Sequence, residues 1–148
     1  MSLCLDVTLP PEVYAAKPLL TVVAGLLIDS DGRMLLTSRP PGKSFAGQWE
    51  FPGGKIGINE SVEQALVREL QEELGIITGI GCLSPLTFAS HAYPDFHLLM
   101  PLFACRTWQG TPQAREGQQL AWVTFDTIAE YPLLPADRPL IPLLRTLL

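Results

Sequence analysis

Three glutamates lie three and four residues apart in one short segment of the chain: Glu69, Glu72 and Glu73. Residues at those spacings are neighbours on one face of an α-helix, where like charges cost about 0.2–0.5 kcal/mol per pair. A solvated acidic helix face is one explanation of the pattern. The other is a cation site, because carboxylates, phosphates and waters are the oxygen ligands that Mg²⁺ or Mn²⁺ prefers. The three glutamates alone leave both explanations open.

The surrounding residues predict the helix that would carry these acids. Ser61 has Gln64 three residues later, which is the pattern of a capping box at a helix start. Gly75 follows the last acid and is typical of the residue just past a helix end. Leucines recur every four residues and are expected to face the core, with the acids on the other side: Leu66, Leu70 and Leu74.

The remaining sequence indicates strands on both sides of that helix. Leu19–Ile28 is an apolar, β-branched run typical of a buried strand. Asp29–Gly32 is a turn signal, and residues 33–39 are expected to complete a hairpin with that strand. Further strands are predicted at residues 49–51, in two runs joined at residues 93–95, and at 120–125. A final helix is predicted at residues 138–148, with a start blurred by Pro139 and Pro142. This pattern predicts an α/β sandwich with a mixed sheet. We expect residues 1–18 to be a lead-in and residues 19–148 to form one domain.

Composition restricts the partners and the compartment. The chain has 148 residues, 47% of them hydrophobic, with a net charge of −5. An acidic protein of this kind is not expected to bind a nucleic acid polymer or an anionic membrane, although it can bind a polyphosphate when metal ions neutralise both. Three widely spaced cysteines without a CxxC pair, and an N-terminus unlike a signal peptide, favour reduced thiols and a cytoplasmic location.

A longer pattern surrounds the three glutamates. Gly54 is followed by five residues, Glu60, seven residues, and then Arg68-Glu69-Leu70-Gln71-Glu72-Glu73-Leu74-Gly75-Ile76. This segment resembles the Nudix box at every defining position. The resemblance implies a Nudix-type α/β/α sandwich with a catalytic loop and helix, and hydrolysis that depends on Mg²⁺, with Mn²⁺ as a substitute. It also favours the cation site over the solvated acidic face.

The same resemblance assigns roles within the box. It implies that the Gly53 carbonyl and the carboxylates of Glu69, Glu72 and Glu73 are metal ligands, and that Glu69 is also a candidate base. Arg68 is expected to hold Glu69 or Glu60 by a salt bridge, and an ordinary surface ion pair is the alternative.

Residues outside the box resemble the MutT branch of the family, which hydrolyses nucleoside triphosphates to a monophosphate and pyrophosphate. The segment "RPPGKSFAGQWEFPGGK" implies that Arg39 and Lys55 contact phosphates, and that Phe51 lies by the base or else packs in the core. The segment "REGQQLAWV" implies a metal ligand or base at Glu116, which by itself would be an ordinary loop acid. Tyr93, Asp95 and His97 are weaker candidates in a predicted hairpin that flanks the substrate in that branch, and turn chemistry explains Pro94–Asp95 equally well.

Asp137 departs from the MutT pattern. Members of that branch known for 8-oxo-dGTP have an asparagine there, whose amide can donate to O6 and accept from N7–H of 8-oxoguanine. An ionised aspartate only accepts, so it would suit the N1–H edge of that base or the amino group of cytosine. The stretch "YPLLPADRPL" also resembles a bacterial branch that acts on CTP and its 5-methyl deoxy relatives. A cap of the last helix is the structural alternative for Asp137.

We therefore expect a metal-dependent nucleoside triphosphate pyrophosphohydrolase of the MutT type, with removal of oxidised dGTP as its leading role. A cytidine triphosphate pyrophosphohydrolase is the first alternative. A non-catalytic nucleotide-binding module is the second, although a binder has no need of the full set of acids. The sequence leaves the oligomeric state open between a monomer and a weak dimer.

Overall fold

The computed structural model describes residues 17–148, so most of the predicted lead-in lies outside the described residues. The strands are β1 (Leu19–Leu27), β2 (Met34–Ser38), β3 (Trp49–Glu50), β4 (Gly53–Lys55), β5 (Leu83–Ala92), β6 (His97–Cys105) and β7 (Leu120–Val123). The helices are α1 (Val62–Leu74) and α2 (Leu140–Leu147), with 3₁₀ turns at Ile80–Cys82 and Ile128–Glu130. Neither α-helix in this part of the chain has the length and apolar character that a bilayer crossing requires.

The strands form two sheets. The first has four strands in the order β4-β1-β6-β5, and the second has three in the order β3-β2-β7. β1 runs parallel to β6 and antiparallel to β4, so the larger sheet is mixed, as expected. β5 and β6 form the predicted hairpin, although a register shift interrupts their pairing near Pro85.

The predicted hairpin of β1 with β2 is wrong. The turn forms as expected, since the Asp29 amide donates to the Arg33 carbonyl at 3.0 Å. Beyond it, however, the two strands share only one bridge, between Ile28 and Met34. The reason is that β4 and β6 already occupy both edges of β1, so β2 pairs with β3 and β7 instead.

Two hydrophobic layers cover opposite faces of these sheets. Val23, Leu27 and Leu35 pack with α1, whereas their strand neighbours Leu26 and Leu36 pack with α2. Successive strand residues point to opposite faces, so a strand that is apolar at every position buries both. The result is the expected α/β/α sandwich.

The sequence correctly predicts how α1 starts, ends and faces the core. The Ser61 hydroxyl accepts from the Gln64 amide at 3.1 Å, and the Gln64 side chain accepts from the Ser61 amide at 2.8 Å. Gly75 ends the helix with φ +70°, a left-handed conformation that favours glycine. Burial of a leucine contributes about 1.5–3 kcal/mol, and three on this helix are fully buried: Leu66, Leu70 and Leu74. Helix α1 therefore has one fixed rotation, which sets where its acids lie.

Candidate active site

Arg68 is the centre of an ion-pair network on the outer face of α1. Its guanidinium donates to both carboxylate oxygens of Glu60, at 3.0 and 2.6 Å, and to Glu69 at 2.9 Å. It also donates to Glu72 at 3.2 Å and to the Lys55 carbonyl at 3.0 Å. Arg68 thus contacts both acids that the sequence offered as alternatives, and Glu72 in addition. This geometry holds the helix against the loop that precedes it.

Glu60 connects the same network to the loop backbone. Its Oε1 accepts from the Gly57 amide at 2.5 Å while it pairs with Arg68. The hydrogen bonds from Arg68 and Gly57 lower the pKa of Glu60, so this carboxyl stays ionised. Glu60 therefore connects the loop to the helix.

Glu69 and Glu73 occupy a more enclosed and more acidic environment. Burial raises the pKa of Glu69, and the hydrogen bond from Arg68 opposes that shift. Burial, followed by the nearby charges of Glu69, Glu116 and Glu50, raises the pKa of Glu73 to about 8. Like charges held this close favour protonation of one member unless a cation compensates them.

The glycine pair before α1 is required by close packing. A Cβ at Gly53 would overlap the Val23 carbonyl oxygen of β1, and a Cβ at Gly54 would overlap the Glu69 carboxyl group. The Gly53 backbone also donates toward Glu73, which lowers the pKa of that acid slightly. Gly53 therefore lies beside the acids, and its carbonyl as a metal ligand stays a prediction.

The three helix acids do not point to one place in the described structure, and their joint binding of a metal stays a prediction. Among residues 17–148, no group of three histidine, cysteine or acidic side chains is arranged as a ready cation site. The reason is Arg68, which lies four residues before Glu72 and holds that half-exposed carboxylate on the outer side of the helix. Glu73 instead lines a narrow cavity of about 30 Å³ together with Glu116 and Glu50.

The donor set nevertheless fits a hard divalent cation in its chemistry. All candidate ligands are oxygens: the Gly53 carbonyl and the carboxylates of Glu69, Glu72, Glu73 and Glu116. The raised pKa values of Glu69 and Glu73 come partly from neighbouring acids, and a cation would relieve that repulsion. The chemistry of these residues therefore suits such an ion.

A larger cavity of about 350 Å³ opens on the other side of Glu50. Phe51 and Asp137, which the sequence predicted by a base, and Tyr93, predicted beside the substrate, all line it. Phe51 is only 3% exposed and belongs to the core, and its contact with a base stays a prediction. Neither Asp95 nor His97 lines this cavity or the smaller one.

Tyr93 forms an aromatic wall of this cavity. Its ring stacks on Phe96 with centroids 4.9 Å apart and contacts the exposed Phe45 at 5.6 Å. Its hydroxyl oxygen accepts from the Ala136 amide at 3.3 Å, which fixes the ring against the segment that carries Asp137. A flat aromatic base would therefore find ring faces on one side and a carboxyl group nearby.

Asp137 is 2% exposed, and its Oδ1 has no hydrogen-bond partner. Burial and then the charge of Glu50 raise its pKa to about 8, against a hydrogen bond from the Phe51 backbone. The helix-cap alternative is wrong, because Pro139 precedes α2 and no side chain caps it. The assumption of an ionised aspartate is wrong too, since a carboxyl with this pKa is mostly neutral at pH 7.

Arg39 and Lys55, the predicted phosphate ligands, lie at the cavity rims. Arg39 donates to Glu50 at 3.4 Å and to the carbonyl and hydroxyl of Ser44 at 3.1 and 3.3 Å, and it lines both cavities. Lys55 is exposed and lines the larger cavity. Their contacts with phosphate stay predictions.

Sequence reasoning missed Glu50 and Gln118. Glu50 separates the two cavities, and its pKa is raised by burial and lowered by Arg39. A charged residue inside an aromatic strand segment, Trp49-Glu50-Phe51, was the available signal. Gln118 is 8% exposed and lines the smaller cavity, but a glutamine in a polar loop gives no signal of burial.

Comparison with known proteins agrees with this geometry. The family profile described as NUDIX domain matches residues 23–143. The CTP pyrophosphohydrolase of Escherichia coli K12 is 42% identical over 129 residues, which cover 80% of this chain and 87% of that protein. The 8-oxo-dGTP diphosphatase of the same organism is 32% identical over 133 residues, covering 86% of this chain and 98% of that protein.

Solved structures show the same architecture. The solution structure of the E. coli ORF135 protein matches with a TM-score of 0.76 and 36% identity, covering 88% of this chain and 91% of that one. A MutT structure from a study of Aliivibrio salmonicida and Vibrio cholerae matches with a TM-score of 0.74 and 34% identity, covering 88% of this chain and 99% of that one.

Proposed function

Because the chain belongs to the NUDIX domain family and is a MutT-like hydrolase of acid anhydrides, we propose that it converts a nucleoside triphosphate to a monophosphate and pyrophosphate. The observation that carries this proposal is the pair of adjoining cavities, one acidic and one aromatic, on the two sides of Glu50. The acidic cavity suits a metal-bound triphosphate, and the aromatic cavity suits a base. We propose Mg²⁺ as the metal, since Nudix hydrolases generally use divalent cations.

The candidate site residues would have different roles in this reaction. A divalent cation, when bound, would offset the phosphate charge and activate a water. Glu72, Glu73 and Glu116 would supply its carboxylate ligands, and Glu69, held by Arg68, would supply a ligand or accept the proton of the water. Arg39 and Lys55 would contact the phosphates from the cavity rims. Burial of Glu73 would keep water from screening its attraction to such a cation.

The neutral Asp137 supports 8-oxo-dGTP as the leading substrate. A carboxylic acid offers one donor beside one acceptor, as an amide does. Its O–H can donate to O6 of 8-oxoguanine while its carbonyl oxygen accepts from N7–H. Ordinary guanine has an acceptor at N7, which would oppose that carbonyl oxygen at a cost of about 1–3 kcal/mol. Asp137 would therefore do in its neutral form what asparagine does elsewhere in the MutT branch.

CTP is the second candidate, favoured by the 42% identity with a CTP pyrophosphohydrolase. Cytosine presents an acceptor at N3 beside its amino donor, so the neutral Asp137 can make two hydrogen bonds to it as well. A 5-methyl group would add apolar contact in a cavity lined by Phe51 and Met100.

A substrate panel with pyrophosphate detection tests the proposal. We expect pyrophosphate release from 8-oxo-dGTP, CTP or 5-methyl-dCTP in the presence of Mg²⁺, with ordinary dGTP hydrolysed much more slowly. Hydrolysis in ¹⁸O-labelled water should place the label in pyrophosphate, which reports attack at the β-phosphorus. Label in the monophosphate would indicate attack at the α-phosphorus instead. Tight nucleotide binding without any pyrophosphate would support the non-catalytic module and reject the proposal.

The domain and compartment are also proposals. The family match at residues 23–143 supports a single domain over residues 19–148. The free thiols of Cys82 and Cys105 support a reducing, cytoplasmic environment. We propose a free nucleotide, and neither a nucleic acid polymer nor a membrane, as the partner.

A further inference from the structure

The loop that carries Glu116 is attached to the C-terminal end of α1. The Gln113 amide donates to the Leu74 carbonyl at 2.9 Å, and the Arg115 amide donates to the Glu73 carbonyl at 3.1 Å. The last carbonyls of a helix lack partners within the helix, so they must be satisfied from outside. Here the loop supplies those donors, which brings it against the turn of α1 that carries Glu73.

One side chain adds a more specific connection. Gln118 is 8% exposed, and its Nε2 donates to the Glu73 carbonyl at 3.0 Å. Its Oε1 accepts from the Glu116 amide at 2.8 Å. A single buried amide therefore joins the backbones of the two residues whose carboxylates line the smaller cavity.

We propose that Gln118 is a positioning residue, which fixes the Glu116 carboxylate relative to that of Glu73 and so sets the geometry of the cation site. The proposal rests on the proposed function in assigning both glutamates to that site. The buried amide uses its donor on one backbone and its acceptor on the other, so its length and orientation determine their separation. Glu116 itself is exposed, and its own side chain has little packing to fix it.

The charges around the smaller cavity explain why such a connection is needed. Glu50, Glu73 and Glu116 line it, whereas Arg39 and Lys43 are its cationic residues. Repulsion between the acids would drive the exposed loop away from the helix. The hydrogen bonds to the backbone of Glu73 hold the loop in place without neutralising either carboxylate. That arrangement leaves both carboxylates available for a cation.

Direct binding of Mn²⁺ to the whole protein, measured by the paramagnetic resonance signal of free Mn²⁺, tests this role without any substrate. Gln118→Met keeps the length of the side chain and removes both hydrogen bonds. We expect Mn²⁺ affinity to fall about 10–100-fold, the range typical when a residue that orients a metal ligand is lost. The matched control is Gln119→Met, the same change at an exposed neighbouring position, and it should leave Mn²⁺ affinity unchanged.

A double-mutant cycle separates positioning from a merely structural role. If Gln118 acts through Glu116, Gln118→Met should reduce Mn²⁺ affinity less than twofold in a Glu116→Gln background. With substrate present, kcat should fall more than KM rises. A lower melting temperature with unchanged Mn²⁺ affinity, or an equal loss of affinity in both backgrounds, would overturn the proposal.

A second variant serves if Gln118→Met does not fold. Gln118→Asn keeps the charge, the donor and the acceptor, and it shortens the side chain by one methylene, so the amide can no longer reach both the Glu73 carbonyl and the Glu116 amide. The same loss of Mn²⁺ affinity is expected, and unchanged affinity again overturns the proposal. Failure of the wild type to release pyrophosphate would reject the proposed function, whereas the Mn²⁺ measurement tests Gln118 independently of that result.

Discussion

Replacing Asp137 with asparagine should remove the part of the pH dependence of base recognition that comes from titration of this carboxyl group. Burial and the nearby Glu50 raise the pKa of Asp137 to about 8. The neutral acid and the amide present the same donor beside the same acceptor, but only the acid titrates. At pH 7 the wild type and Asp137→Asn should therefore hydrolyse 8-oxo-dGTP with similar efficiency. Above pH 8 the ionised wild type has no proton to donate to O6, and the two proteins should diverge.

The size of the divergence follows from the fraction of neutral acid. With a pKa of about 8, the neutral fraction falls from about nine tenths at pH 7 to about one tenth at pH 9. When only one state binds, apparent affinity falls with its population. The kcat/KM of wild type relative to Asp137→Asn should therefore fall about tenfold across this range. The missing hydrogen bond, worth about 1–3 kcal/mol, is large enough for such a loss.

The assay measures kcat/KM for 8-oxo-dGTP and CTP at pH 6 to 9, with constant Mg²⁺ and pyrophosphate detection. Dividing wild type by variant cancels the titration of the base, of Glu73 and of the activated water, because both proteins share them. Asp126→Asn is the matched control, since that side chain is 95% exposed. Parallel wild-type and Asp137→Asn profiles across the range would refute the reasoning.

The same pKa predicts the pH dependence of stability. The folded pKa of Asp137 is raised above its ordinary value of 3.8, so the folded state binds more protons than the unfolded state between about pH 4 and 8. Its contribution to the free energy of unfolding therefore falls as pH rises through that window. Each pH unit within that window corresponds to about 1.4 kcal/mol in the free energy of unfolding. The melting temperature of Asp137→Asn minus that of the wild type should therefore increase as pH rises from 5 to 8. A difference that stays constant over this range would contradict the prediction.

Three further changes test the helix and its acids. Glu73→Gln should lower turnover by orders of magnitude and weaken Mn²⁺ binding while the circular dichroism spectrum stays native; unchanged turnover at saturating Mg²⁺ would exclude a ligand role. Gly54→Ala should lower kcat about tenfold or more, because its Cβ overlaps the Glu69 carboxyl group, and a normal kcat would show that the acid can move freely. Leu70→Ala should cost about 2–5 kcal/mol in urea unfolding, because that side chain is fully buried; a smaller loss would show that the core closes around the cavity.

Helix α1 could be predicted in detail because its signals are local. Ser61 and Gln64 specify its start, Gly75 specifies its end, and a leucine every four residues specifies its rotation. The β1–β2 hairpin was predicted from an equally local turn signal and is wrong beyond that turn. The strands that pair with the two edges of β1 lie far along the chain, and no local sequence pattern indicates which strands they are.

In the candidate site, too, some features follow from local sequence and others depend on residues that are distant in sequence. The family resemblance implied that Arg68 holds Glu69 or Glu60, and the structure has it bound to both; the resemblance also put Asp137 by the base, and Asp137 lines the larger cavity. The protonation of Asp137 could not be predicted, because it depends on burial and on Glu50, which is distant in sequence. It also could not be predicted that Glu72 binds Arg68 while Glu73 lines the smaller cavity. The spacing of residues does not show which charged groups lie near each carboxylate.

The parallel pairing of β1 with β6 has a consequence for how the protein is made. Leu19 pairs with His97 and Leu27 with Cys105, so the first described strand finds its inner neighbour only after most of the chain has left the ribosome. Contacts between such distant segments form slowly, because a long loop must close before they contribute. Until then β1 is an apolar strand with an unpaired edge, which is prone to association with other chains. Truncation before β6 should therefore give insoluble protein even though the whole of α1 is retained.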